Sequence, residues 1–353
     1  VIREAPDFWR YRGNYYEFEE VERGMAFEAI ETLASPFSYQ DKEDLLRRKR
    51  INEYLLERVR DRKEKAKILS ELGTICYHLG ELDKALNYHE KALGLYDGMG
   101  IKEEMAAVLR KIGNVYLTKG GLNKALDYYE KVVKLSEELR RKEEMAAVLG
   151  NIGIVHRIKG ELDKALEYHK KALKLDAELG RKDGMTADYG NIGNVYYDKR
   201  EFDNALEYHK KALKLDAELG RKERIAIDLG NMGNVYLTKG ELEKALEYYE
   251  KALKLNEELG RKEGVAIQLG NIGHVHYRKG ELHNALEYYE KALRIFKEIG
   301  SRIETARVLM SIGDVLLMKG DKERAIAYYQ EAQGLAAGSY LFEEVSKRLK
   351  RLT

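Results

Sequence analysis

The chain has 353 residues, of which 44% are hydrophobic and 35% charged, and its 63 Lys and Arg against 61 Asp and Glu leave a formal net charge of +2. This balance provides no global attraction to nucleic acid or to a membrane, so we expect neither as a partner. The lone cysteine, Cys76, excludes an intrachain disulfide framework and a multi-cysteine zinc site. No apolar run is long enough to cross a bilayer and no signal peptide is evident, so we expect a cytoplasmic protein.

The first part of the chain, residues 1–62, differs from the rest. It contains both prolines and the only tryptophan. Hydrophobic spacing predicts helices near 14–34 and 41–61, with an apolar pattern unlike the one that follows. We interpret this region as a helical cap or as the remnant of an upstream domain. The chain begins at Val1 rather than at a methionine, as expected for a piece of a longer protein.

A repeat of 40 residues organises the chain from residue 63 to residue 338. Glycines recur at this spacing, and so do alanines twelve residues further along. These residues are Gly73, Gly113, Gly153, Gly193, Gly233, Gly273 and Gly313, with Ala85, Ala125, Ala165, Ala205, Ala245, Ala285 and Ala325. A period of 20–50 residues is typical of solenoids and arrays. The pattern predicts seven consecutive units.

Each unit is predicted to contain two amphipathic helices, which we call A and B. In the fifth unit, Met232 and Val235 fall on one face of helix A when each residue turns the helix by about 100°. A short turn at Gly240 precedes helix B, which buries Tyr249 and ends at Gly260. One hairpin cannot bury both apolar stripes alone, whereas stacked copies can. The sequence therefore predicts an all-α solenoid.

This pattern resembles the tetratricopeptide repeat. The match covers the small residue that opens helix A, the glycine in its middle, and Tyr236, Gly240, Ala245, Tyr249 and Ala252. Leu229 replaces the family's tryptophan, and Glu257 replaces the proline that ends helix B, so helix B can extend to give a 40-residue unit. The resemblance implies a right-handed superhelical solenoid. The extended units are similar to those of Pins-type adaptors, kinesin light chains and the sensor arms of prokaryotic signal-transduction ATPases.

The run Gly190-Asn191-Ile192-Gly193-Asn194 is unusual inside a predicted helix, because glycine and asparagine are poor helix formers. A phosphate-binding loop needs a strand before its glycines, and an RNA-clamping GxxG must lie in a loop. Both readings fail here because the glycines lie within a helix. We expect Gly193 to allow helix A to approach helix B closely.

Helix A carries asparagines and glycines on a face where helix B carries Lys and Glu. Side-chain amides can donate to and accept from a peptide backbone, and glycine permits close approach of a ligand. The resemblance implies that this face lines a concave groove, where Pins-type adaptors hold an extended partner segment with a similar asparagine ladder. An alternative is that neighbouring asparagines bond each other across adjacent helices, or that recent duplication of the repeat copied them. The residues expected to bind a protein or peptide partner are Asn114, Asn151, Arg157, Asn191, Asn194, Tyr197, Asn231, Asn234, Asn271, His274, Tyr277 and Arg278.

The histidines indicate no metal site. His89, His169 and His209 occupy the position of Tyr249 in their units, so we expect them in the core. His274 and His283 are not expected to hold a metal, and the sequence predicts no cofactor. No catalytic set of side chains recurs at a sensible spacing, so we do not expect an enzyme.

The last residues, 339–353, are predicted to cap the array with one further helix. An apolar stripe at helical spacing would cover the final hairpin, and the basic residues from Lys347 to Arg351 would form the solvated side. The stripe consists of Leu341, Phe342, Val345, Leu349 and Leu352.

Three functional hypotheses follow. The favoured one is a protein-interaction scaffold that holds a partner segment in its groove. The second is a ligand-sensing regulatory arm of a larger signal-transduction ATPase or regulator, and the third is an enzyme with an unrecognised site.

Overall fold

The computed structural model describes residues 42–337, 339 and 341–352. These residues form sixteen α-helices and no β-strand. The predicted helix near 14–34 lies outside the described residues. The first described helix, α1 (Lys42–Arg58), falls within the second predicted stretch.

Seven helical hairpins follow α1, and each is formed by one helix A and one helix B. Their bounds are α2 (Arg62–His78) with α3 (Leu82–Gly98), α4 (Lys102–Thr118) with α5 (Leu122–Glu138), α6 (Lys142–Ile158) with α7 (Leu162–Glu178), α8 (Lys182–Asp198) with α9 (Phe202–Glu218), α10 (Lys222–Lys239) with α11 (Leu242–Glu258), α12 (Lys262–Arg278) with α13 (Leu282–Glu298), and α14 (Arg302–Met318) with α15 (Lys322–Ala336). A last helix, α16 (Leu341–Lys350), follows the seventh hairpin.

The chain divides into two compact units after Gly180. Among the described residues, the first unit holds α1 and the hairpins α2 to α7, and the second unit holds the hairpins α8 to α15 and α16. Within each unit, every helix packs against the next one along the chain. The predicted all-α architecture of stacked hairpins is confirmed. The exact limits of the array, 63 and 338, stay a prediction.

The turn between helices A and B is built on a left-handed residue. At Gly240, φ is 81°, a conformation in which glycine lacks the steric penalty of other residues. The Gly240 amide donates to the Leu237 carbonyl at 3.1 Å, and the Glu241 amide donates to the Tyr236 carbonyl at 2.9 Å. This pair of bonds is a Schellman motif, which satisfies carbonyls that the helix end would leave unpaired.

Close contact between helices A and B depends on the glycine in the middle of helix A. A Cβ added at Gly233 would lie 2.5 Å from Cε1 of Tyr249, and one added at Gly193 would lie 2.9 Å from Cε1 of His209. Real Cβ atoms essentially never approach other heavy atoms within 3.0 Å. The packing role predicted for Gly193 is confirmed, and Gly233 has the same role.

Helix α16 covers the end of the second unit. Leu341 and Val345 are buried, and Leu349 and Leu352 pack against the same core at partial exposure. Phe342, predicted to belong to this stripe, is instead 43% exposed, because it is one residue, or about 100° of helix rotation, from Leu341.

None of the helices in the described part of the chain combines the length and apolar character that a membrane crossing requires.

Candidate functional site

In the first unit, the predicted binding asparagines are occupied by contacts within the protein. The Tyr129 hydroxyl donates to Asn114 Oδ1 at 2.7 Å, and Asn151 Nδ2 donates to the same oxygen at 3.1 Å. This second bond is the amide-to-amide contact between successive helices A that the sequence left open as an alternative. The other predicted residue of this unit, Arg157, is half-buried near the end of α6.

Two asparagines of the second unit also have protein partners. Asn234 Oδ1 accepts a hydrogen bond of 2.7 Å from the Tyr249 hydroxyl, and Asn271 Nδ2 donates to Gln268 Oε1 at 3.3 Å. The predicted binding residue Asn234 is thus already partnered within the protein through its oxygen. Its side chain lies at the edge between helices A and B, because the fully buried Tyr249 ring places its hydroxyl there and a buried hydroxyl needs a partner.

Removing the tyrosine hydroxyls tests the structural part of these contacts. Tyr249→Phe should lower the free energy of unfolding by about 1 kcal/mol, the usual net contribution of one such hydrogen bond. Urea unfolding followed by circular dichroism would measure it. Tyr248→Phe, on the adjacent position of α11, is the control, since its ring stacks on Tyr236 and the ring is kept. A loss in the control equal to that in Tyr249→Phe would contradict a specific role for the bond to Asn234.

Three other asparagines make no side-chain hydrogen bond with the described residues: Asn191, Asn194 and Asn231. All three are half-buried on helices A of the second unit. Their amide donors and acceptors are therefore available to a ligand.

Three open pockets lie along the helices A of the second unit. The amide pocket, of about 190 Å³, lies between α10 and α12 and contains Asn231, Asn234 and Asn271. The apolar pocket, of about 270 Å³, lies between α12 and α14 and contains Gly270, Asn271 and His274. The arginine pocket, of about 350 Å³, is formed by α12, α14 and α16 and contains His274, Tyr277, Arg307 and Arg348. Neighbouring pockets share residues, so together they form one groove within this unit.

Only some of the predicted binding residues of the second unit line the groove. Asn231, Asn234, Asn271, His274 and Tyr277 line it. The remaining predicted residues, Asn191, Asn194, Tyr197 and Arg278, line none of the three pockets. Of these, Tyr197 is hydrogen-bonded through its hydroxyl to Thr238 Oγ1 at 2.8 Å.

Sequence reasoning missed the apolar residues of the groove. Ile227 is 48% exposed and Ile267 is 41% exposed, and both line pockets. The available signal was their position, the second residue of the helix A repeat, where the fourth unit has Ala187. Because Ile267 lines both the amide pocket and the apolar pocket, and Ile227 lines the first of them, the two side chains add apolar area to the groove.

The glycines beside the asparagines have two different roles. A Cβ at Gly230 would lie 3.0 Å from Gln268 Nε2, so this glycine makes room for a polar side chain of the next helix A. A Cβ at Gly270 would meet nothing within 4 Å, and Gly270 lines the apolar pocket. Gly230 is therefore explained by internal packing, whereas the space beside Gly270 is open.

Buried polar side chains lie where successive hairpins of the second unit meet. We call the four residues Asp216, Asp228, Asn256 and Gln268 the polar layer; each is at most 6% exposed. Arg261 Nη1 donates to Asn256 Oδ1 at 3.2 Å, and an Arg221 guanidinium nitrogen lies 3.8 Å from Asp216 Oδ1. At the next meeting of hairpins, Phe296 and Val308 occupy the equivalent positions.

Burial controls the ionisation of several groups. It raises the pKa of Asp228 to about 7, with a further contribution from the nearby Asp216. Burial lowers the pKa of His274, and Arg278 acts in the same direction. Both groups are thus biased toward their neutral forms.

The three histidines at the position of Tyr249 are buried, as predicted. Burial lowers the pKa of His89 to about 3 and that of His169 to about 4, and His209 is 1% exposed. In the part of the chain that the structure describes, no three His, Cys, Asp or Glu side chains are placed to share a metal ion.

Residues at the C-terminal end of the groove form a charged cluster. Arg348 Nε donates to Asp314 Oδ1 at 3.2 Å, and its Nη1 donates to Glu344 at 2.8 Å. Arg348 was expected on the solvated side of the capping helix, but these two acids draw it into the arginine pocket.

Comparison with family models identifies the repeat. One model described as tetratricopeptide repeat matches residues 104–178, 185–258 and 265–336, and a second model with the same description matches residues 68–103. These matches cover more than half of the chain, so the protein belongs to the tetratricopeptide repeat family. A comparison with curated protein sequences returned no match.

Solved structures with the same fold are distant in sequence. Yeast Tom70 has 17% identity and a TM-score of 0.63, over 96% of this chain and 65% of that chain. The Rap conjugation gene regulator of plasmid pLS20, solved with the Phr* peptide, has 18% identity and a TM-score of 0.58, over 82% and 75%. A signal transduction ATPase with a tetratricopeptide repeat sensor from Pyrococcus horikoshii has 18% identity and a TM-score of 0.57, over 90% and 55%.

Proposed function

We propose that the protein is an interaction scaffold and that the groove of its second unit binds an extended segment of a protein partner. Asn231, Asn234 and Asn271 would bond the peptide backbone of that segment. Ile227 and Ile267 would contact its side chains. Membership of the tetratricopeptide repeat family supports this proposal, as does the pLS20 Rap regulator, which has the same fold and was solved with a peptide.

The observation that carries the proposal is the pairing of an unbonded amide with exposed isoleucines. Asn231 makes no side-chain hydrogen bond with the described residues, and it lines the amide pocket together with Ile227 and Ile267. A peptide backbone would satisfy both the donor and the acceptor of this half-buried amide. The outer face of helix B carries paired charges instead, such as Lys251 with Glu247.

Selection from random twelve-residue peptides displayed on phage would test the proposal, with the whole chain as the immobilised target. We expect the chain to enrich a family of related peptides. Synthetic copies of these peptides would then be titrated by fluorescence anisotropy. If repeated selections enrich no related peptides, the groove is not a peptide site.

Two substitutions in the groove should weaken the binding of a selected peptide. Asn231→Ala removes one or two hydrogen bonds, so we expect a Kd about tenfold higher. Gly270→Ala places a methyl group on the groove surface without meeting any protein atom within 4 Å, so it should weaken binding without reducing stability. Asn284→Ala makes the same chemical change at an exposed residue of α13 and is the matched control. Equal affinity of all three variants would contradict the proposed location.

The second candidate function is a sensor arm of a larger signal-transduction ATPase. Its support is the shared fold with the P. horikoshii protein, a signal transduction ATPase with a tetratricopeptide repeat sensor. The full reading frame would decide it, since a P-loop motif in the same polypeptide is required. A frame without such a motif would exclude this candidate and leave the scaffold proposal unaffected.

A further inference from the structure

Two neighbouring pockets of the groove are copies of one another with different floors. The amide pocket and the apolar pocket are related by the 40-residue repeat, so Gly230 and Asn231 correspond to Gly270 and Asn271. The side chains beneath them differ. Asn256 and Gln268 lie under the amide pocket, whereas Phe296 and Val308 occupy the equivalent positions under the apolar pocket.

The floor of the apolar pocket offers no hydrogen bond. Phe296 is 2% exposed and Val308 is 6% exposed, so both belong to the core and only a small part of each side chain lines the pocket. At the rim, Glu304 and Arg307 lie 3.4 Å apart as an ion pair. This pocket therefore has no net charge to balance that of a ligand, and burying a charged side chain in it would be unfavourable.

The floor of the amide pocket offers a hydrogen-bond donor. Gln268 Oε1 accepts from Asn271, but Gln268 Nε2 makes no hydrogen bond with the described residues, although the residue is more than nine-tenths buried. Asn256 is not available, because its Nδ2 donates to the Ala252 carbonyl and its Oδ1 accepts from Arg261. The unpartnered Gln268 amide lies on the lining of the pocket, where an acceptor of the ligand would satisfy it.

We propose that the groove selectively binds two neighbouring side chains of the bound segment. An uncharged polar side chain occupies the amide pocket, and a large aliphatic or aromatic side chain occupies the apolar pocket. This inference rests on the proposed function. The two pockets share Ile267 and Asn271, so one short segment can occupy both. The polar side chain accepts from Gln268 Nε2, which fits Asn, Gln, Ser or Thr. Arg261 and Glu263 also line this pocket, and their opposite charges leave no net charge to balance that of a ligand. The apolar side chain packs over Phe296 and Val308.

The peptides selected from the phage library test the inference through their consensus. We expect one uncharged polar position and one apolar position close to it. Replacing the apolar residue of a synthetic peptide by alanine should raise the Kd about ten- to a hundredfold, as expected for a large side chain that leaves a buried site.

Replacing the two residues beneath the amide pocket gives the variant that tests the inference most directly. The double substitution Asn256→Phe and Gln268→Val gives the amide pocket the floor that the next hairpin already carries. We expect selection against this variant to replace the polar position of the consensus by a second apolar one. Gly270→Leu is a second variant that fills the apolar pocket from α12 and should remove the preference for an apolar residue there. Its added Cβ meets no protein atom within 4 Å. This variant therefore still tests the inference if the double variant does not fold.

The outcomes separate this inference from the proposed function. If the parent chain enriches no peptides, both fail. If it enriches peptides whose consensus lacks the apolar position, or whose consensus is unchanged by the floor exchange and by Gly270→Leu, only the assignment of the two pockets is overturned. Enrichment of charged residues at either position would overturn it as well.

Discussion

Gly233→Ala is expected to lower the free energy of unfolding by about 3 kcal/mol, although it adds only one methyl group to a helix. The new Cβ would lie 2.5 Å from Cε1 of Tyr249. The tyrosine ring cannot easily move away, because it is fully buried and its hydroxyl is bonded to Asn234. Relief therefore requires helices α10 and α11 to separate, and overpacking of this kind commonly costs 1–3 kcal/mol or more.

Gly270→Ala is the matched control, since it makes the same substitution inside the next helix A. Its methyl group meets nothing within 4 Å, and alanine is favoured over glycine in a helix interior by about 0.5–1 kcal/mol. We expect this variant to be slightly more stable than the parent. Urea unfolding followed by circular dichroism at 222 nm would measure both. If Gly233→Ala were as stable as Gly270→Ala, close approach of helices A and B would not be what the repeated glycine provides.

The second prediction with a large expected effect concerns the pH dependence of the free energy of unfolding. Asp228 is buried in the polar layer, and Oδ2 of its carboxyl group has no hydrogen-bond partner among the described residues. Burial and the nearby Asp216 raise its pKa to about 7, against a smaller opposing effect of Arg224. His209 also lies beside it, with Nδ1 4.0 Å from Asp228 Oδ1.

The sign of this pH dependence follows from the number of protons bound in the folded and unfolded states. A carboxyl group with a pKa near 7 in the folded state and an ordinary value of 3.8 in the unfolded state binds more protons when folded between these two values. The stability it contributes is complete below pH 4 and is lost as the pH rises to 7. The shift of about three units corresponds to about 4 kcal/mol as an upper value.

Asp228→Asn should remove the loss of stability that ionisation of Asp228 causes as the pH rises. We expect the variant to be more stable than the parent at pH 8 by about 2–4 kcal/mol, and to show little or no advantage at pH 4. Urea unfolding at a series of pH values would measure the difference between the two chains. Asp216→Asn should reduce the difference partly, because it removes the neighbouring carboxyl group. A pH-independent difference between parent and Asp228→Asn would show that Asp228 does not change its ionisation in this range.

The repeated part of the structure could be predicted because its signals recur in register. Gly193 was assigned to helix packing from its place inside a predicted helix, and the clash that a Cβ there would make with His209 confirms this assignment. The core histidines were predicted in the same way, since His209 falls where the next hairpin has Tyr249. Such inferences need only periodicity and the requirement that one face of each helix be buried.

The candidate site was less predictable, because it depends on contacts between helices that sequence spacing does not specify. Asp216 lies in a helix rich in Lys and Glu, so it was not distinguished from a solvated acid, yet it is 1% exposed. The contact of Asn114 with both Tyr129 and Asn151 depends on the orientation of three side chains. Gly230 and Gly270 are equivalent in sequence, but only the structure shows that Gln268 fills the space beside the first and that the space beside the second is open.

The pocket floors are not properties of single repeats. Asn256 and Gln268 come from consecutive hairpins, and so do Phe296 and Val308. Loss of the sixth hairpin would therefore join Asn256 to Val308 and create a floor that the present chain does not contain. Unequal recombination between near-identical repeats could thus generate new recognition properties in one step, with every helix sequence left intact.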